Sequence, residues 1–80
     1  MIELPPLLHA VADLPEPDLP PDTWYSKYHD HALDLSSLQV LQLVDLIEAT
    51  FDLLLTSDDV IRAHFATPSA LAHHLTRRLA

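Results

Sequence analysis

The chain has no cysteine and no glycine among its 80 residues. Without cysteine there are no disulfides, no thiolate metal sites and no protein thiol nucleophile. Without glycine, phosphate-cradling glycine loops, dinucleotide fingerprints and tight primed hairpins are excluded, and left-handed helix caps are not expected. Positive charge is scarce as well: four Lys and Arg against twelve Asp and Glu give a net charge of −8. A nucleic-acid phosphate backbone would be repelled by such a chain, so DNA and RNA are not expected partners. No apolar run approaches the 18 or so residues of a membrane span, and Met1-Ile2-Glu3 lacks the basic start of a secretory leader. The expectation is a cytoplasmic, non-membrane protein.

Hydrophobic residues make up 49% of the chain and charged residues 20%, the profile of a globular domain. At this length one domain spanning residues 1–80 is expected. Chains this short withdraw only about 60% of their unfolded surface from water. A buried catalytic triad or a deep enzyme pocket has little room, and the chain is read as a non-enzyme.

Six of the seven prolines fall within residues 1–21. Each X-Pro junction disfavours helical geometry at the residue before it, which restricts an opening helix to residues 6–14 and predicts an extended connector over residues 15–23. Residues 1–23 thus form a Pro-rich first helix and connector, which Trp24, Tyr25 and Tyr28 are expected to pin to the bundle.

From Ser37 onward the period is helical. At about 100° per residue, Val40, Leu43, Val44, Ile47 and Phe51 share one face, the core stripe, while Leu38, Leu41 and Asp45 project elsewhere. Ser36-x-x-Gln39 has the spelling of a capping box, which makes Ser37 the first helical residue and leaves its hydroxyl free. A short third helix is expected after Thr56 or Ser57, with Asp58 and Asp59 in its first turn and Val60, Ile61 and His64 or Phe65 along it. Thr67-Pro68 signals the start of a last helix with a Leu71, Leu75, Leu79 stripe, and Arg77 and Arg78 suit its C-terminal end. The expected fold is all-α, a small four-helix bundle with a short third helix and a Pro-rich first loop.

Ser37-Leu38 opening this helix and Glu48-x-x-Phe51-Asp52 closing it, with no gap between, resemble the modification-site helix of the acyl carrier protein family, including peptidyl and aminoacyl carriers. The resemblance covers residues 33–79. Ser36 stands where the family commonly has Asp, giving a Leu-Ser-Ser-Leu spelling similar to that of some aminoacyl carriers. It implies a bundle of acyl-carrier type in which Ser37 carries 4'-phosphopantetheine covalently, with Leu38, Leu41, Asp45 and Glu48 as the partner-binding face. The implied partners are a phosphopantetheinyl transferase, an acyl- or aminoacyl-activating ligase and a downstream synthase or transferase. The implied work is to hold an acyl, aminoacyl or ketide unit as a thioester in secondary-metabolite biosynthesis, such as polyketide or nonribosomal peptide synthesis. The length and Met1 suit a stand-alone monomer. The alternative is an unmodified carrier-like bundle acting as a protein-interaction module.

Gln39 and Gln42 occupy positions often acidic in fatty-acid carriers, so recognition is expected to depend little on salt-sensitive attraction. His29-Asp30-His31 and His73-His74 lack the i, i+4 pairing of a helical zinc site, and no protein-bound metal is expected.

Overall fold

A computed structural model describes residues 4–80; Met1-Ile2-Glu3, on which the leader reading rests, lie outside the described residues. The described residues form four α-helices and one 3-10 helix, with no strand among them. In chain order these are α1 (Pro5–Val11), α2 (Pro21–Tyr28), α3 (Ser37–Phe51), the 3-10 helix (Arg62–Phe65) and α4 (Pro68–Leu79). Helix α1 packs on α2 and α3, and α4 packs on α2 and the 3-10 helix.

Helix α1 begins with Pro5 and Pro6, where missing N–H groups cost nothing because the first turn has no acceptor for them. It stops at Val11 rather than continuing to Leu14. Ala12 is already extended, at φ −138° and ψ 150°, and Leu14 turns into the core ahead of Pro15.

The extended connector predicted over residues 15–23 is overturned at its end, where α2 begins at Pro21. Pro20 does hold the extended geometry required before a proline, at φ −55° and ψ 146°. Pro21 is then the first helical residue, its φ preset, and Asp22 sits in the first turn where the macrodipole favours an acid. The helix carries Trp24 fully into the core. The indole Nε1 donates to the Pro15 carbonyl at 2.7 Å, and the Lys27 ammonium and Tyr28 hydroxyl donate to the Glu16 carboxylate. These bonds hold the proline-rich segment against α2.

The core gathers Leu4, Leu8, Trp24, Leu43, Ile47, Leu71 and Leu75, all fully buried. Of the α3 stripe, Leu43 and Ile47 form the centre while Val40, Val44 and Phe51 pack half-buried at its edge. Leu79 leaves its predicted stripe: it is the last residue of α4 and is 43% exposed.

The short third helix is also revised. Residues 57–59 form a turn, Ile61 is extended at φ −114° and ψ 152°, and only Arg62–Phe65 coil, as a 3-10 helix. Two β-branched residues, Val60 and Ile61, interrupt the run, and Thr67-Pro68 ends it. Left-handed backbone occurs without glycine: Glu16, Asp34 and Asp52 have φ of 51°, 49° and 51°. Asp52 is the left-handed cap of α3, a role the absence of glycine had seemed to exclude, because Asp tolerates this region better than most residues.

Trp24→Phe keeps most of the buried ring and removes the donor to Pro15. The expected loss is roughly 1 to 3 kcal/mol, read from urea unfolding. A variant as stable as the parent would mean that the indole hydrogen bond adds nothing to the docking of the proline-rich segment.

Candidate functional site

The first turn of α3 is built by two side chains. The Ser36 Oγ accepts from the Gln39 N–H at 3.2 Å, and the Gln39 Oε1 accepts from the Ser36 N–H at 2.8 Å, completing the capping box. The remaining end of the Gln39 amide has a separate use, for its Nε2 donates to the Val11 carbonyl at 3.0 Å, at the last turn of α1. Gln39 therefore fixes where α3 starts and ties that start to α1. The capping box is as the sequence spells it, whereas the tie to Val11 was not foreseen.

With Ser36 spent as the cap, Ser37 is the first residue of α3 and is exposed. No hydrogen bond engages its hydroxyl among the described residues. The Val40 N–H is taken by the Ser36 carbonyl at 2.9 Å, and that of Gln39 by Ser36 Oγ. The amides of Ser37 and Leu38 are left for an external acceptor, as at any helix start.

Leu38 and Leu41 lie off the core stripe and are 64% and 60% exposed. Asp45 is exposed on the same helix. Glu48 is half-buried, and its Oε2 accepts from the Leu55 N–H at 2.8 Å, holding the chain that leaves α3. Ile61, 45% exposed, adds an apolar residue that the reading of Leu38 and Leu41 did not include.

Ser37 also lines a groove of about 760 Å³, with Val40 and Leu41 of α3 among its walls and Val60, Arg62 and Phe65 from the segment around the 3-10 helix. The loop before α3 makes this groove. Leu33 and Leu35 are buried while Asp34 and Ser36 between and after them are exposed, and the Leu33 N–H donates to the Ala66 carbonyl at 2.9 Å. The 3-10 helix is thereby held opposite the α3 start.

Asp59, beside the groove-lining Val60 in the chain, is 5% exposed and fully engaged. Its Oδ2 accepts from the Thr56 N–H at 2.9 Å and the Thr56 hydroxyl at 3.1 Å. Its Oδ1 accepts from His74 Nε2 at 2.8 Å and Arg78 Nε at 2.9 Å, both on α4. The Arg78 guanidinium reaches on to the Leu54 carbonyl at 2.8 Å. The Thr56 backbone N–H above all, then His74, the Thr56 hydroxyl and Arg78, hold the Asp59 carboxyl well below the usual carboxylate range against the opposing effect of burial. The sequence reading used Asp59 only as a helix-start acid. Its pairing with residues 15 and 19 positions away leaves no local signal.

His64 of the 3-10 helix stacks on His74, with ring centroids 3.8 Å apart and planes 14° apart. Burial, then the charges of His74 and Arg77, push His64 below its ordinary pKa, with Asp59 opposing. His29 approaches Asp30 at 3.3 Å with both exposed, and His73 is exposed. Among the described residues no group of three or more His, Cys, Asp or Glu is gathered as a metal site requires. No described helix is long and apolar enough to cross a membrane.

Compared with known proteins, the chain matches no family model, and no curated protein or solved structure is significantly similar to it.

Two outcomes test this region. Gln39→Glu retains the acceptor for Ser36 but not the donor to Val11, and is expected to lower stability by about 1 kcal/mol. Gln39→Ala removes both and is expected to cost about 1 to 2 kcal/mol. Equal stability of Gln39→Glu and the parent would show that the tie to α1 is energetically silent.

The two shifted groups of this cluster, Asp59 and His64, favour the folded state at higher pH. The neutral form of His64 is favoured on folding, so its contribution is complete above the ordinary value of 6.5 and is lost as pH falls through its lowered folded pKa. Asp59 contributes fully above 3.8 and loses its contribution as pH falls further through its own depressed value. The expected melting-temperature profile descends in two stages on acidification, and His64→Gln removes the upper stage alone.

Proposed function

We propose that the chain is a non-catalytic carrier whose Ser37 hydroxyl is the attachment point of 4'-phosphopantetheine. The observation that carries this reading is the division of labour between two adjacent serines. Ser36 caps α3, and Ser37 is left with an exposed, unengaged hydroxyl at the mouth of an apolar-walled groove. Three further features support it. The Ser37 and Leu38 amides and the positive end of the α3 macrodipole favour a phosphodiester at this hydroxyl, by about 0.3 to 1 kcal/mol at an exposed site. Leu38 and Leu41 offer an apolar contact surface next to it, bordered by Asp45. Glu48 and Phe51-Asp52 close the helix at the spacing that resembles carrier proteins.

In the loading reaction the Ser37 Oγ attacks the phosphorus of the coenzyme A diphosphate that bears pantetheine. The Oγ–P bond forms and the P–O bond to adenosine 3',5'-bisphosphate breaks. That nucleotide departs, and the serine proton passes to the base of a separate phosphopantetheinyl transferase. Once attached, the group supplies a terminal thiol that holds cargo as a thioester, chemistry a chain without cysteine does not itself possess. The protein's own residues present the tether and hold the docking face beside it, so that an activating ligase and a downstream synthase or transferase meet the cargo at high local concentration. An acyl, aminoacyl or ketide unit fits this use, in a cytoplasmic biosynthetic pathway.

A second reading rests on the same face. Leu38, Leu41 and Ile61 form exposed apolar surface whether or not Ser37 is modified, and Ser36 replaces the acid usual before the modified serine. On that reading the bundle is a protein-interaction module.

Incubation with coenzyme A and a broad-specificity phosphopantetheinyl transferase separates the two by intact mass. The expected result is one phosphopantetheine added to the parent and none to Ser37→Ala. No adduct on the parent, or an adduct that persists in Ser37→Ala, would sink the carrier assignment.

A further inference from the structure

Arg62 differs from the other cations of the chain in its surroundings. Of the four Lys and Arg residues, Lys27 is held by Glu16, and Arg78 by Asp59 and the Leu54 carbonyl. Arg77 lies in the last turn of α4, where the helix dipole favours a cation. Arg62 is exposed and makes no hydrogen bond or ion pair among the described residues, yet it lines the same groove as Ser37. Asp34 is the other charged residue of that lining, and no ion pair joins the two. In a chain of net charge −8, an unengaged guanidinium beside apolar walls is complementary to an oxyanion with an apolar continuation.

We infer that Arg62 is the positioning residue for the phosphodiester on Ser37, holding the first segment of the arm along the groove between α3 and the 3-10 helix. This rests on the carrier reading above. The groove places Ser37 and Arg62 on a common surface, and a phosphodiester on Ser37 is one ester bond from that surface. An anion on the cargo would sit at the far end of a flexible arm, and bringing it back would cost the conformational freedom of every bond between. Arg suits the role better than Lys because its planar fork can donate two parallel hydrogen bonds to a phosphate. The contact is exposed and therefore salt-sensitive.

Intact mass first establishes whether Ser37 is modified. On the modified protein, the ³¹P resonance of the phosphodiester and the Nε–Hε resonance of Arg62 are then recorded at low salt and at about 1 M salt, where the Debye length shrinks to about 3 Å. The expected result is an Arg62 signal that moves on modification and returns toward its unmodified position at high salt. Arg62→Gln is expected to shift the ³¹P resonance, and Arg62→Lys to shift it less. Because Arg62 is exposed, neither substitution is expected to change the melting temperature. A modified protein whose ³¹P signal is the same in Arg62→Gln would overturn the role of Arg62 and leave the carrier reading standing. Absence of the adduct would overturn both. An Arg62 signal that moves only after the thiol is loaded with a succinyl group would transfer the contact to a cargo carboxylate and overturn the phosphodiester assignment.

Discussion

The hydrogen bonds of one carboxamide set the geometry on which the candidate site depends. Gln39 closes the capping box with its oxygen and grips the Val11 carbonyl with its nitrogen, so the beginning of α3 and the end of α1 are positioned by the same side chain. A helix start is otherwise free to fray or slide by a residue. Here a slide would break a bond between residues 28 apart in the chain as well as a local one. The outward placement of Ser37 follows from that register, since its neighbour must serve as the cap. Leu33 and Leu35 reinforce it from the other side by burying the loop that leads in.

What could be read in advance was what is local. The Ser36–Gln39 box, the Leu43 and Ile47 stripe, the exposure of Leu38 and Leu41, and the Thr67-Pro68 start depend on contacts within a turn or two of helix, and the structure has all of them. Helix α2 went unread because its proline was counted as an interruption, whereas a proline following a proline is also a suitable first helical residue. The end of α1 and the break at Val60-Ile61 depend on what must be buried nearby, which periodicity alone does not specify. The groove was invisible for a stronger reason. Its lining comes from segments that are far apart in the chain and are joined by the bond from Leu33 to Ala66, which leaves no local signal. Arg62 likewise has no sequence signal, only a position.

The electrostatics separate into two kinds. Most of the acidic residues are exposed, where solvent and salt damp their influence. Asp59 is withdrawn from water, and its four hydrogen bonds join the turn after α3 to α4. A buried carboxylate with all partners present is tolerable, but loss of any partner leaves a charge that the interior does not accommodate. The stack of His64 on His74 extends this cluster to the 3-10 helix, which also supplies Arg62 and Phe65 to the groove.

Asp34 combines two properties. Its backbone is left-handed, which bears a cost of order 1 kcal/mol that glycine would avoid and asparagine would lessen. Its carboxylate is also the negative member of the groove lining. Evolutionary relaxation of that bend toward either easier residue would delete the anion at the same stroke, strengthening the pull of Arg62 on anything negatively charged at Ser37. A single codon would thus ease the backbone and alter the charge in the groove lining together.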